Sequence, residues 1–216
     1  MSHEAEPVAR QVRVYLENHP AVADAIRMGI ANHTAVARRI AGELGLPYSS
    51  AIVAACRRYP RGRELQAREA GVRRVLRKSR IETRTKVAAI TVRQGVDVLQ
   101  RLGDVVEELL DEESLCRLIQ VSRGTVVIID EDSVPRITKR LREDQIVRVR
   151  RNLVEVAVTG PESIEETPGL LTLLTGIVSA QGINIVEALS CYTDTIFLFE
   201  LGDFPPALAA LSRAVE

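Results

Sequence analysis

A chain of 216 residues with 46% hydrophobic and 27% charged residues has the composition of a folded globular protein, with room for two or three small domains. No apolar run approaches the roughly 18 residues that span a bilayer, and the N-terminus lacks a signal-peptide core, so we expect a cytoplasmic protein with no membrane partner. Cys56, Cys116 and Cys191 have no paired spacing, which is typical of reduced thiols and indicates no metal site.

The net charge of zero conceals a gradient along the chain. Residues 1–80 contain 15 Lys and Arg against 7 Asp and Glu, whereas residues 151–216 contain 2 against 9. A basic first part and an acidic last part predict different partners for the two ends, and a polyanion would bind the first.

The first 60 residues predict helices. Apolar residues recur at helical spacing up to Ile30, with a break at Pro20. Asn32 begins the next helix, Gly45 and the following residues end it, and Ser49 or Ser50 begins another. We therefore predict a helical domain over residues 1–62 and a basic connector over 63–80.

A repeated unit follows the connector. Residues 87–92 align with residues 153–158, which lie 66 positions later, and residues 125–130 align with 195–200 at an offset of 70. Each copy has the pattern strand, strand, helix, strand, strand, helix, which predicts two repeats over residues 81–144 and 145–216. Short strands with two helices per copy indicate an α+β fold, with antiparallel sheets covered by helices on one face.

The pattern also assigns each element. In the first copy the predicted strands are 81–84, 87–92, 115–121 and 125–130, with helices at 96–110 and 134–141. In the second copy they are 146–150, 153–158, 183–189 and 195–200, with helices at 168–180 and 205–214. The second copy has no closing strand of its own, so we expect one from the neighbouring repeat or from another subunit.

A candidate ligand site lies in the second copy. Thr167 is a suitable N-cap and Pro168 a suitable first helical residue, and Gly169 follows where backbone amides are still unpaired and favour a carboxylate. Asn184, predicted at the start of the next strand, can bind both an ammonium and a carboxylate. These features describe a pocket for a free amino acid. Alternatively, Gly169 is a simple turn residue and Asn184 occupies a left-handed corner.

The second repeat resembles an ACT domain, the small regulatory module of aspartokinases and many amino-acid-controlled proteins. The resemblance is carried by residues 167–171 (TPGLL), 182–187 (GINIVE) and 190–197 (SCYTDTIF). It implies two ferredoxin-like ACT units, a homodimer formed through them, and a small amino acid bound between paired units. The ligand-binding residues that it implies are Gly169, Leu170, Leu171, Ile183 and Asn184. The first repeat has Ser114 in place of Asn184, and we expect it to be a structural partner.

Residues 40–46 (IAGELGL) resemble the helix-turn-helix of winged-helix proteins, with a small residue at Ala41 and the turn at Gly45. The resemblance implies that the next helix contacts duplex DNA. Its DNA-binding residues would be Ser49, Ser50, Arg57 and Arg58. Alternatively, these helices are a dimerisation or protein-docking module.

Signatures of catalysis are missing from the sequence. His3, His19 and His33 have no metal-ligand spacing, and no phosphate-binding loop or nucleophile motif occurs. We therefore predict a regulator without a cofactor that senses an amino acid and controls transcription, rather than an enzyme. Two alternatives stay open: an ACT regulatory subunit that docks on a metabolic enzyme through its N-terminal helices, and a small enzyme on an ACT-like scaffold.

Overall fold

The computed structural model describes residues 7–60 and 63–216. Its contacts divide the chain into two compact units, and the boundary in the sequence falls between Ala70 and Gly71. His3 and the predicted domain boundary at residues 61 and 62 lie outside the described residues.

Four helices form the first unit. They are α1 (Val8–Asn18), α2 (Pro20–Arg27), α3 (His33–Glu43) and α4 (Ser50–Arg58). The predicted break at Pro20 is confirmed, because this residue opens α2. The predicted cap at Asn32 is also confirmed: its side-chain oxygen accepts hydrogen bonds from the N–H groups of Thr34 and Ala35, at 3.0 and 3.2 Å. These helices bury one shared core that includes Leu16, Ile40, Ile52 and Cys56.

Helix α5 (Arg63–Leu76) occupies most of the predicted basic connector. Its last turns contribute Val72, Val75 and Leu76 to the core of the second unit, so this end of the connector is packed rather than free. The basic residues of these turns, Arg73, Arg74, Arg77 and Lys78, remain exposed.

A single antiparallel sheet organises residues 71–216. Its six strands are β1 (Arg80–Arg93), β2 (Cys116–Val121), β3 (Gly124–Asp130), β4 (Ile146–Thr159), β5 (Glu187–Cys191) and β6 (Asp194–Glu200). The accompanying helices are α6 (Val96–Asp111), α7 (Val134–Thr138), α8 (Leu170–Ala180) and α9 (Phe204–Val215). The strand order is β2-β3-β1-β4-β6-β5, so each repeat forms one half of the sheet and the α+β prediction is confirmed.

The two central strands are longer than the sequence pattern predicts. The predicted strands 81–84 and 87–92 form one continuous strand, β1, and 146–150 and 153–158 likewise form β4. The prediction of separate strands is wrong, because the break in the sequence pattern corresponds to a change of local twist and not to a turn. Lys86 and Asn152 have left-handed φ angles of 56° and 60°, and the register of the β1–β4 pair shifts beside them.

These long strands let each repeat close the other. The first part of β1, from Arg80 to Arg84, pairs with residues 155–159 of β4, whereas its second part pairs with β3 on one side and with residues 146–153 of β4 on the other. The closing strand that the second repeat lacks is therefore supplied by the first repeat. Equivalent ion pairs flank this centre, Arg84–Asp130 at 3.2 Å and Arg150–Glu200 at 4.0 Å.

Both faces of the sheet bury apolar residues. Helices cover one face in two separate clusters, one for each repeat. On the other face a third cluster joins the repeats, and Val87, Ile128, Leu153 and Leu198 are fully buried in it. The sheet must curl around this face, because residues of both edge strands, β2 and β5, pack against the same cluster.

The left-handed positions in β1 and β4 predict different gains in stability from substitution by glycine. Lys86→Gly should stabilise the fold by about 0.5–1 kcal/mol, because it relieves roughly 1–2 kcal/mol of left-handed strain but adds chain entropy. Asn152→Gly should gain less, because asparagine tolerates this conformation better than lysine does. Urea-induced unfolding measures both changes, and Lys86→Ala is the control because it keeps the Cβ atom and should give no gain. A loss of stability in Lys86→Gly would contradict this interpretation.

Candidate ligand site

A cleft of about 240 Å³ lies at one end of the sheet. The cleft is lined by Ile164, Glu165, Thr167, Pro168, Gly169, Leu170, Leu171, Thr172, Ser190 and Tyr192. The topology explains why these segments meet: β4 ends at Thr159 opposite Asp194, and β5 ends at Cys191 opposite the same residue. The end of β4, the start of α8 and the β5–β6 turn therefore share one end of the sheet.

Helix α8 begins at Leu170, directly after Gly169, which adopts a left-handed φ of 92°. The predicted helix start at Pro168 with Thr167 as N-cap is wrong. The Thr167 hydroxyl instead donates a hydrogen bond of 2.5 Å to the carbonyl of Ser163, in the preceding turn. Because glycine lacks a Cβ atom, it adopts the positive φ that turns the chain into the helix at little cost.

The first turn of α8 presents unpaired backbone donors to the cleft. The N–H of Leu173 already donates to the Gly169 carbonyl at 3.0 Å, but those of Leu171 and Thr172 have no hydrogen-bond partner among the described residues. Both of these residues line the cleft. Free amides at a helix N-terminus, together with the helix dipole, favour a bound carboxylate.

Acidic residues also lie at the cleft, since Glu165 lines it and Glu162 contacts the lining residue Tyr192. The hydroxyl of Tyr192 donates a hydrogen bond of 2.9 Å to Glu162. This bond, the partial desolvation of the phenol and the nearby charge of Glu165 raise the pKa of Tyr192. None of the described residues that line the cleft is a lysine, arginine or histidine. The cleft therefore has a positive helix end and the carboxylate of Glu165 in its lining, with Glu162 next to Tyr192, which is a combination of charges that suits a zwitterion.

The predicted site residues divide between the two ends of the sheet. Gly169, Leu170 and Leu171 line the cleft. Ile183 packs against the core beneath the helices, and Asn184 is exposed. The strand predicted to begin at 183 begins at Glu187, so Asn184 lies in the connection after the C-terminus of α8. An 11-residue helix separates the two groups by about 16 Å.

Sequence reasoning missed the β5–β6 turn as part of the site. Ser190 and Tyr192 line the cleft, and Tyr192 adopts a left-handed φ of 52° in the turn. The order of the predicted elements could have revealed it. A helix that follows a strand runs back along the sheet, so the next strand ends where the helix began. The left-handed tyrosine itself has no signal in the sequence.

In the first unit, the predicted DNA-binding residues lie at the two ends of α4. Ser49 precedes the helix without a side-chain cap bond, and Ser50 begins it. Arg57 and Arg58 are exposed and form no ion pair with a described residue. Residues 44–49 connect α3 to α4, a longer connection than the 3–4 residues of the usual helix-turn-helix.

Within residues 7–60 and 63–216, no helix has the length and apolar character needed to cross a membrane. The same residues contain no group of three or more His, Cys, Asp and Glu that could hold a metal ion.

Comparison with known proteins identifies a fold but no family. No protein-family model and no curated protein matches the chain. Among solved structures, aspartate kinase from Clostridium acetobutylicum matches with a TM-score of 0.52 and 16% identity, over 63% of this chain and 34% of that chain. The chain thus spans about a third of the length of that enzyme.

Two smaller proteins match over almost their whole length. The regulatory subunit of aspartate kinase from Thermus thermophilus, in a ligand-free form, has a TM-score of 0.50 and 15% identity, over 63% of this chain and 96% of that chain. The corresponding subunit from Thermus flavus has a TM-score of 0.50 and 16% identity, over 63% of this chain and 97% of that chain. The α+β part of the chain therefore has the fold of aspartate kinase regulatory domains, as its resemblance to ACT domains implies.

Proposed function

We propose that this protein is an amino-acid-sensing regulator whose second repeat binds its ligand in the cleft at the start of α8. The observation that carries the proposal is that the residues with unpaired amides, Leu171 and Thr172, line the same cleft as Glu165 and as Tyr192, whose hydroxyl binds Glu162. A regulatory function is supported by the fold shared with aspartate kinase regulatory subunits. In this proposal the ligand is bound and released unchanged.

The groups that line the cleft define the chemistry of the ligand. Its carboxylate accepts hydrogen bonds from the amides of Leu171 and Thr172, and its ammonium lies towards Glu165. A second carboxylate on the ligand would meet the negative wall formed by Glu162 and Glu165. Neutral or basic amino acids should therefore bind in preference to aspartate and glutamate.

A second copy of the chain completes the site in this proposal. Asn184 lies at the opposite end of α8 from Gly169, so one chain cannot place both against the same small ligand. Strand β5 is an edge of the sheet, and two copies of an edge strand can pair antiparallel about a two-fold axis. That pairing brings Asn184 of each copy beside Gly169 of the other.

The outer surface of α8 favours the same homodimer. Leu173 and Ala180 are exposed and Ile177 is only partly buried, so this helix presents apolar residues to solvent as well as to its core. A helix with apolar residues on its outer face as well as on its inner face is normally buried on both faces. In the proposed dimer, a second copy paired along β5 covers this apolar surface of α8.

In this proposal the first unit binds the target that the regulator controls. We assign it to duplex DNA binding, because Arg57 and Arg58 are exposed at the end of α4 without a carboxylate partner among the described residues. Docking on a metabolic enzyme is the second candidate. It is favoured by a groove of about 350 Å³ between α1 and the end of α4, with buried Val12 and Tyr59 at its base and Arg13 at its rim.

The identity of the ligand can be tested through its effect on thermal stability. In a thermal-shift screen of the twenty amino acids, at least one neutral or basic amino acid should raise the melting temperature, and aspartate and glutamate should not. Calorimetry with that amino acid should then show at least a tenfold loss of affinity in Leu171→Glu, because the new carboxylate repels that of the ligand. Asn184→Ala should cost about 1.5–3 kcal/mol, the range for hydrogen bonds to charged groups.

Val96→Glu is the matched control for the change at Leu171. It adds the same charge to the first turn of the corresponding helix in the first repeat, where Val96 is exposed. Both substitutions place an acidic residue at a helix N-terminus and should leave the fold intact. Equal loss of binding in the two variants would place the site elsewhere.

The DNA-binding assignment predicts a steep dependence on salt. Affinity for duplex DNA should fall as the salt concentration rises, because each neutralised phosphate releases counterions. In Arg57→Ala and in Arg58→Ala, the slope of log affinity against log salt concentration should fall by about 1 for each phosphate contact removed. Arg39→Ala is the control, because this exposed arginine is paired with Glu43 at 2.7 Å. Absence of binding at low salt, with and without the amino acid, would favour docking on an enzyme.

A further inference from the structure

One ion pair joins the two halves of the sheet across its curled face. Glu155, in β4, is only 5% exposed, and its Oε1 accepts a hydrogen bond of 2.9 Å from Arg117 in β2. Strands β3 and β1 lie between these two strands in the sheet, so the contact exists only because the sheet curls. The edge strand of the first repeat is thus tied to the first strand of the second repeat.

Each side chain of this ion pair leaves part of its hydrogen-bonding capacity unused. Glu155 Oε2 and Arg117 Nε are both buried, and neither has a hydrogen-bond partner among the described residues. A buried carboxylate with one unpaired oxygen is costly, because burial removes hydration that a single arginine does not fully replace. The other ion pairs of the sheet centre, such as Arg151–Glu131 at 3.9 Å, have more exposed side chains.

The charges around Glu155 come from four strands. Arg117 in β2 and Arg84 in β1 favour its ionised form, whereas Asp130 in β3 and Asp194 in β6 oppose it. Burial is the largest influence, and it raises the pKa of Glu155 despite the two arginines. The carboxyl group therefore takes up a proton at a higher pH than an ordinary glutamate does.

We propose that Glu155 and Arg117 form a pH-sensitive latch that holds strand β2 against β4 when Glu155 is ionised and loosens when it is neutral. This inference does not depend on the proposed ligand. The proton binds at Oε2, the oxygen without a partner, and the charge attraction to Arg117 is lost, although Oε1 still accepts a hydrogen bond. The Arg117 side chain is 31% exposed, so its guanidinium can then turn towards solvent.

Protonation of Glu155 is linked to the stability of the fold. Because the pKa of Glu155 is raised in the folded state, folding takes up a proton between the unfolded and folded pKa values. The stability linked to this proton is fully present below the ordinary glutamate pKa of about 4.3 and is lost as pH rises through the folded value. Acidification through this window should therefore stabilise the chain globally while it loosens β2 locally.

Nuclear magnetic resonance tests the latch directly. The carboxyl carbon of Glu155 should titrate with a midpoint above about 4.3, and backbone amides of β2 should shift with the same midpoint. In Glu155→Gln, an isosteric neutral mimic, the β2 amides should not titrate and should match the acidic parent already at neutral pH. Glu131→Gln is the control, and it should leave the titration of β2 unchanged.

Arg117→Gln provides a second, independent variant. With the favourable charge removed, the carboxyl carbon of Glu155 should titrate at still higher pH, and the amides of β2 should no longer follow it. The proposal is overturned if Glu155 titrates at or below the ordinary glutamate value. It is also overturned if the β2 amides of Glu155→Gln match the parent at neutral pH.

Discussion

The antiparallel pairing of β1 with β4 is the constraint on which the second unit depends. Each of these strands spans 14 residues, and each contributes its two parts to different repeats. Neither repeat has a complete sheet without the other, since the start of β1 closes the second repeat and the start of β4 closes the first. Contacts between the repeats are therefore part of the fold, and a change in one repeat can reach the other through hydrogen-bonded strands.

The sheet is symmetric at its centre and asymmetric at its edges. Lys86 and Asn152 are equivalent left-handed positions, and the ion pairs Arg84–Asp130 and Arg150–Glu200 are equivalent as well. Away from the centre the copies differ: Glu155 is buried and paired with Arg117 in the edge strand β2 of the first repeat. The two repeats are therefore most alike where β1 and β4 pair, and they differ in the cleft at the start of α8 and in the contact between Arg117 and Glu155.

The order of the elements could be predicted from the sequence. So could the helix caps that depend on one nearby side chain, such as Asn32. The sequence did not predict that β1 is continuous, because a lysine in a left-handed conformation has no local signal. The start of α8 was misplaced because Thr167, Pro168 and Gly169 satisfy two rules at once, a capped helix with proline first and a glycine turn. Tertiary contacts decide between such rules. The separation of Gly169 from Asn184 follows from topology and could have been derived from the predicted elements.

If each ligand site takes residues from two chains, as we propose, two binding-deficient variants should complement each other in a mixed dimer. Leu171→Glu and Asn184→Ala would be co-expressed with different affinity tags, the mixed dimer isolated, and ligand stoichiometry measured by calorimetry. We expect two sites per parent dimer, strongly weakened binding in each variant dimer, and one site of parental affinity in the mixed dimer, because one of its two sites retains both native residues. A mixed dimer without a restored site, or a chain that yields only a 23.8 kDa monomer, would contradict the proposal.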